Sequence, residues 1–283
     1  MRKTMADDAP LPAFADEPMI RLRGVSMRFG KHRVLENVHL DIHARETLAI
    51  IGESGCGKSV TLKLIVGLLK PTEGEVSFEG RSLAAMKEPE LTAMRLRVGF
   101  LFQGAALFDS LDVYHNVAFG LRAKGGISTE AIRQKVRMRL QDVGLPLTVE
   151  TKMPSELSGG MRKRLGLARA LALDPDVMLY DEPTTGLDPI MTDVINDLIL
   201  QTRKRQPVTS LIVTHEMRTV MKAADRVVMF YPLSRLNPGE PQVIYDGPSH
   251  GLTTCTDERV RQFVLGEARD RLGEIHGEFI PEH

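Results

Sequence analysis

Tryptophan is absent from this 283-residue chain, aromatic residues of all kinds make up only 5% of it, and the only cysteines are Cys56 and Cys255. Two cysteines in a chain of this length do not make a disulfide framework; they read as reduced thiols of a cytoplasmic protein. Net charge is missing too, because 37 Lys and Arg balance 37 Asp and Glu. With no overall field, a nucleic-acid partner would have to rest on local patches, and none is expected. No segment approaches about 18 uncharged apolar residues; the best stretch, Leu165–Tyr180, carries Arg169, Asp174 and Asp176. The chain is therefore not expected to cross a membrane, and would work at one only through partners. The N-terminus has no apolar signal core and turns acidic at Asp7, Asp8, Asp16 and Glu17, so residues 1–18 read as a disordered lead-in.

What is present is alternation. Short apolar runs rich in β-branched residues predict strands at Ile20–Met27 and Val34–Asp41, antiparallel to each other, then at Thr47–Ile51, Val76–Phe78 and Val98–Phe102. Ser59–Leu69 reads as a helix stopped by Pro71. From Gly104 to about Leu173 the pattern is mostly helical, with Ser128 or Thr129 capping one helix and Ser158 another. Strands return at Val177–Tyr180, Ser210–Val213 and Arg226–Phe230, with helices from Pro189 and over Met217–Ala224 between them. Asp188 is a natural N-cap for the helix opened by Pro189, whose Met191, Val194, Ile195, Leu198 and Ile199 form an apolar stripe expected to be core. Pro232–Gln242 reads as an irregular loop, Val243–Asp246 as a strand, and Asp257 to about Gly273 as a charged helix. This order predicts an α/β fold with a mainly parallel sheet, helices on both faces and a helical block inserted between two strands.

Gly52-Glu53-Ser54-Gly55-Cys56-Gly57-Lys58-Ser59 fits G-x-x-x-x-G-K-[ST], with an apolar strand before it and a helix after it. Glycines let backbone N–H groups close around phosphate, and a helix start adds partial positive charge. Lys58 would reach the outer phosphates and Ser59 would offer its hydroxyl to Mg²⁺. Cys56 is either a small tolerated residue or a thiol whose pKa the helix start lowers. Val177-Met-Leu-Tyr-Asp181-Glu182 is an apolar strand ending in two acids. Asp181 is assigned to the metal and Glu182 to the general base that polarises the attacking water. The basic triplet Arg162-Lys163-Arg164 reads as a solvated helix face near an anionic nucleotide.

Leu157-Ser158-Gly159-Gly160-Met161 resembles the signature motif of ABC transporter ATPases, and Asp181-Glu-Pro-Thr-Thr-Gly-Leu-Asp188 resembles their Walker B and D-loop. Gln103 matches the Q-loop, His215 the switch histidine, and Phe29 the aromatic that stacks on adenine; Val60 closes the phosphate loop where a threonine is common. The resemblance covers roughly Met19 to Gly247, within an ATPase domain expected over 19–250. It implies a RecA-like sheet core, an N-terminal antiparallel β subdomain and a helical subdomain at about 104–173, followed by a helical tail over 251–283. It implies ATP and Mg²⁺ as ligands, with the metal held through Ser59, Gln103 and Asp181. It also implies a head-to-tail dimer in which Ser158, Gly159 and Gly160 face the ATP of a second copy and Asp188 reports across the interface. Ala105, Ala106, Leu107 and Phe108 are open to either a groove for a membrane subunit or plain core.

Phe102-Gln-Gly-Ala-Ala-Leu-Phe, the signature stretch with Met161, Leu179–Asp193 and Arg259-Val-Arg-Gln-Phe are most similar to the ATPases of Mla/Mce-type lipid transporters. That implies phospholipid movement between inner and outer membranes, from the cytoplasmic face of the inner membrane. The partners implied are a multi-span permease, an Mce-domain periplasmic lipid-binding protein and a small STAS-domain regulator. Two rivals are an importer for amino acids or metal chelates, and a soluble ABC ATPase acting on ribosomes or DNA. The first would leave every catalytic residue unchanged. The second usually fuses two cassettes or adds long coiled coils, which this chain lacks.

Overall fold

The computed structural model describes residues 17–267. The chain opens with β1 (Ile20–Phe29), β2 (His32–Ile42), β3 (Thr47–Gly52) and α1 (Lys58–Ile65), then β4 (Glu73–Phe78), β5 (Arg81–Ser82), α2 (Glu88–Arg95) and β6 (Val98–Leu101). The helical block follows as α3 (Val113–Lys124), α4 (Thr129–Asp142) and α5 (Gly159–Leu171). The remainder is β7 (Val177–Asp181), α6 (Pro189–Arg205), β8 (Thr209–Val213), α7 (Met217–Ala223), β9 (Arg226–Phe230), β10 (Val243–Pro248) and α8 (Glu258–Leu265).

β1 and β2 are antiparallel, as expected, and β4 and β5 extend them into a sheet ordered β2-β1-β4-β5. Alternation along β1 buries Ile20 and Leu22, while Arg21 and Arg23 both reach Asp41 on the outer face. The second sheet runs β10-β9-β3-β8-β7-β6 and is parallel except for β10. Every residue of β3, β7 and β8 is buried, which is why these strands read as unbroken apolar runs. Because β3, β8 and β7 are neighbours, the loops leaving their C-terminal ends converge at one edge of the sheet, where open α/β sheets place ligands. The helical block enters after β6 and returns at β7, and its core is continuous with the face covered by α6.

Several expectations need correction. α1 ends at Ile65 rather than Leu69, because Gly67 turns left-handed and Leu68 N–H bonds back to Lys63 O. α2 went unread in the sequence; Glu90 Oε2 accepts from Lys87 N–H and closes its first turn. Ser128, not Thr129, caps α4. Val194 on α6 is 36% exposed, so the apolar stripe narrows to Ile195, Leu198 and Ile199. The tail helix stops at Leu265, with Gly266 left-handed after it; the rest of the expected tail and most of the lead-in lie outside the described residues.

Candidate functional site

The loop Gly52–Ser59 leaves β3 and enters α1. Two of its glycines have no substitute. Gly52 has φ 139° and a Cβ there would sit 2.3 Å from Phe230 O; Gly57 has φ 99° and a Cβ would sit 2.4 Å from Leu35 Cδ2. Lys58 is buried, and its ammonium donates to the carbonyls of Gly52 and Glu53, both at 2.8 Å. Lysine carries three donors, so a phosphate oxygen can be held as well. Ser54 and Gly55 are exposed, and Glu53, Ser59 and Val60 are half-buried.

Ser59 Oγ donates to Asp181 Oδ1 at 2.6 Å, joining the cradle to the end of β7 across the sheet. Burial pushes the Asp181 carboxyl above its ordinary range, against the opposing Ser59 hydrogen bond. A cation beside it would offset that burial. Among the described residues no cluster of three or more His, Cys, Asp or Glu is placed to hold a metal. A hydroxyl next to a single carboxylate nonetheless fits Mg²⁺, which keeps waters and substrate phosphates in its shell.

Glu182 follows with a left-handed backbone, φ 48°. A non-glycine residue there costs on the order of 1–3 kcal/mol. Its N–H donates to Val213 O at 2.8 Å, which pins the residue to the end of β8. Its carboxylate accepts from Thr185 Oγ1 at 3.0 Å and lies 3.0 Å from His215 Nδ1. Lys58, Ser59, Gln103 and Glu182 line one open cleft of about 440 Å³. His32 lines it too, and the 46%-exposed ring of Phe29 ends β1 on the other side of the same hairpin turn.

Ser158, Gly159, Gly160 and Asp188 do not line that cleft. Ser158 Oγ accepts from Met161 N–H at the start of α5, and Asp188 Oδ1 accepts from Ile190 and Met191 N–H at the start of α6. The two starts touch: a Cβ on Gly160 would lie 2.7 Å from Met191 Cε. Of the residues after Gln103, Ala105 is buried and Leu107 packs against the helical core, whereas Ala106 and Phe108 are exposed.

Of the two readings of Cys56, the small tolerated residue fits and the activated thiol does not: the thiol is buried, and burial pushes its pKa up rather than down. The triplet Arg162-Lys163-Arg164 is a solvated face only in part: Arg162 is exposed and Arg164 half-buried, but Lys163 is buried. Arg162 donates to Leu157 O, Arg164 to Gly144 O, and the buried Lys163 to the carbonyls of both Gln103 and Glu182. Lys163 shares a helical phase with the buried Leu167 and Leu171, so the period of α5 carried a signal that its charge concealed.

The loop after β9, to which the sequence assigned no role, also reaches the cradle. Gln242 is buried; its Nε2 donates to Cys56 O and Val34 O, and its Oε1 accepts from Glu36 N–H, each at 3.0 Å. Arg235 pairs with Glu53 at 2.9 Å. No local pattern marks either residue.

The ABC transporter family model matches residues 35–185. The intermembrane phospholipid transport system ATP-binding protein MlaF of Haemophilus influenzae is 38% identical over 253 residues, spanning 89% of this chain and 92% of that protein. The probable ribonucleotide transport ATP-binding protein mkl of Mycobacterium leprae is 40% identical over 256 residues, spanning 90% of this chain and 70% of that one. Among solved structures, the dimeric post-hydrolysis state of the ATP-binding cassette MJ0796 bound to ADP and Pi superposes with a TM-score of 0.71 at 31% identity, covering 82% of this chain and 99% of that one. The family match, the identities and the shared fold together show that the chain belongs to the ABC transporter family, as an ATP-binding cassette that hydrolyses ATP.

Proposed function

We propose that this cassette powers phospholipid transport between two membranes, working as a head-to-tail pair on the cytoplasmic face of the inner membrane. The observation that carries the hydrolytic reading is the convergence of the Ser59–Asp181 bond and the Glu182–His215 contact at one sheet edge. The likeness to MlaF supports the lipid reading, and the dimeric MJ0796 cassette supports the pair.

In this scheme the loop Gly52–Ser59 binds the phosphates through backbone N–H groups and Lys58, and Phe29 stacks on the adenine. Mg²⁺, held by Ser59, Asp181 and Gln103, would neutralise charge on the outer phosphates. Glu182 takes a proton from the attacking water as its oxygen bonds to the γ-phosphorus, and the bond to the β–γ bridging oxygen breaks. His215 orients that water and the γ-phosphate through its contact with Glu182. Ser158, Gly159 and Gly160 of one copy close on the ATP of the other, and Asp188 senses the closure. Hydrolysis removes the γ-phosphate that bridges the copies, so nucleotide biases closed against open pairs. The ATPase unit is residues 19–250, with 251–283 appended to it.

The partners are a multi-span permease seated over Phe108 and its neighbours, a periplasmic Mce-domain lipid carrier and a small STAS-domain regulator. Pull-down of the tagged chain from detergent-solubilised membranes, with lipid analysis of the complex, tests this reading. Recovery of a permease with bound phospholipid is expected. A permease carrying amino acids or metal chelates, or ribosomes in its place, would overturn the lipid assignment.

A further inference from the structure

The signature helix holds the catalytic loops by their backbones. α5 begins at Gly159, directly after Ser158, and its fifth residue is Lys163, 6% exposed. Burying an ammonium is costly unless it is well paired, and this one is spent on two main-chain carbonyls. One belongs to Gln103, 60 residues away in sequence; the other belongs to Glu182, 19 residues away, at 3.1 Å. Both loops carry backbone that needs holding. Glu182, Ala105 and Ala106 are all left-handed, with φ of 48°, 61° and 48°. A second cation of α5, Arg169, takes the carbonyls of Ala105 and Ala106 at 2.8 and 2.6 Å.

We infer that Lys163 is a positioning residue: its ammonium ties the start of the signature helix to the backbones of Gln103 and Glu182, so that movement of α5 re-aims the general base. It lies behind the base and touches no nucleotide. A lysine suits this place because one tetrahedral ammonium can bond two carbonyls that approach from different elements. Any rotation of α5 that follows contact at Ser158 must drag both carbonyls or break these bonds. Glu182, held between Val213 O and Lys163, is the group whose direction would change.

The inference rests on the base assignment made above, and the experiment separates the two. Steady-state ATPase kinetics and equilibrium binding of a fluorescent ATP analogue are measured on the full chain carrying Lys163→Met, Lys163→Gln or Lys163→Arg, with Glu182→Gln as a control. Loss of charge-assisted hydrogen bonds predicts that Lys163→Met lowers kcat by about 10–100-fold. KM and ATP affinity stay near wild type, and Lys163→Arg recovers part of the loss. A merely structural lysine would instead lower thermal stability and affinity together, with no rescue by arginine. Should Lys163→Met fail to fold, Lys163→Gln decides: a reduced kcat at unchanged affinity supports the tie. Wild-type kcat in a folded Lys163→Met or Lys163→Gln protein, alongside an inactive Glu182→Gln, overturns the inference and leaves the base assignment standing. An active Glu182→Gln overturns the base assignment itself.

Discussion

Helices α1 and α5 both begin among glycines, yet their starts are finished differently. The start of α1 is enclosed by distant parts of its own chain: Leu35 and Phe230 press on its glycines, Gln242 bonds Cys56 O, and Asp181 accepts from Ser59. The start of α5 is exposed, and its serine is satisfied only by its own helix at Met161 N–H. Behind that exposed start, Lys163 runs back to the carbonyls of Gln103 and Glu182. One surface is completed within a single chain. The other is tied on its inner side and leaves Ser158 and Gly159 exposed, an arrangement that the proposed two-copy sandwich would use.

The comparison can be broken in several ways. The largest effect is expected at Glu182, on the completed side. Glu182→Gln should lower turnover by about 10²–10⁴-fold, the usual worth of a general base, while retaining ATP and the closed pair. Phosphate release and nucleotide-dependent dimerisation by size exclusion measure both, and wild-type phosphate release would remove Glu182 as the base. Next, Lys58→Ala should weaken ATP binding by about 10–100-fold, from loss of a charge-assisted hydrogen bond worth roughly 1.5–3 kcal/mol. Unchanged affinity in a fluorescent-nucleotide titration would count against the cradle.

The division between copies is tested by a mixed dimer of one Ser158→Arg chain and one Lys58→Ala chain. If the two surfaces meet in trans, both lesions fall on the same site and the other site binds ATP normally. Loss of both sites would show that each chain closes on its own nucleotide. A smaller effect is expected from Gln242→Met, which leaves the Cys56 and Val34 carbonyls without their donor. It should destabilise the fold by roughly 1–3 kcal/mol, read as a lower urea midpoint; an unchanged midpoint would deny the clamp any weight. Smallest is the thiol chemistry. Cys255, partly exposed, should react with a thiol reagent in the native protein, and Cys56 only after unfolding; rapid native labelling of both would contradict the burial of Cys56.

Legibility in the sequence followed the range of the interaction. The caps at Ser128, Ser158 and Asp188 were readable because each side chain bonds an N–H two or three residues ahead. The strands of the central sheet were readable because complete burial leaves a continuous apolar run. α2 was not, since it is short, begins Glu-Pro-Glu and buries only Met94. At the site, Ser59, Asp181, Glu182 and His215 stood out from their motifs, but their 2.6 and 3.0 Å contacts depend on β3, β7 and β8 being neighbours. Lys163, Gln242 and Arg235 were misread or passed over. Their partners lie 60, 186 and 182 residues away, beyond any local pattern.

By itself, then, the sequence determined the alternating α/β plan, the phosphate loop with its acids, and the serine-capped start of the signature helix. These depend on backbone geometry and hydrogen bonds over a few residues, which local residue types dictate. Tertiary structure alone decided that the Cys56 thiol is buried, that the middle lysine of a basic triplet bonds two carbonyls instead of facing water, and that a late loop bonds the cradle. Burial and the pairing of a charge are set by whatever the folded chain brings alongside, and a side chain's identity does not carry that information.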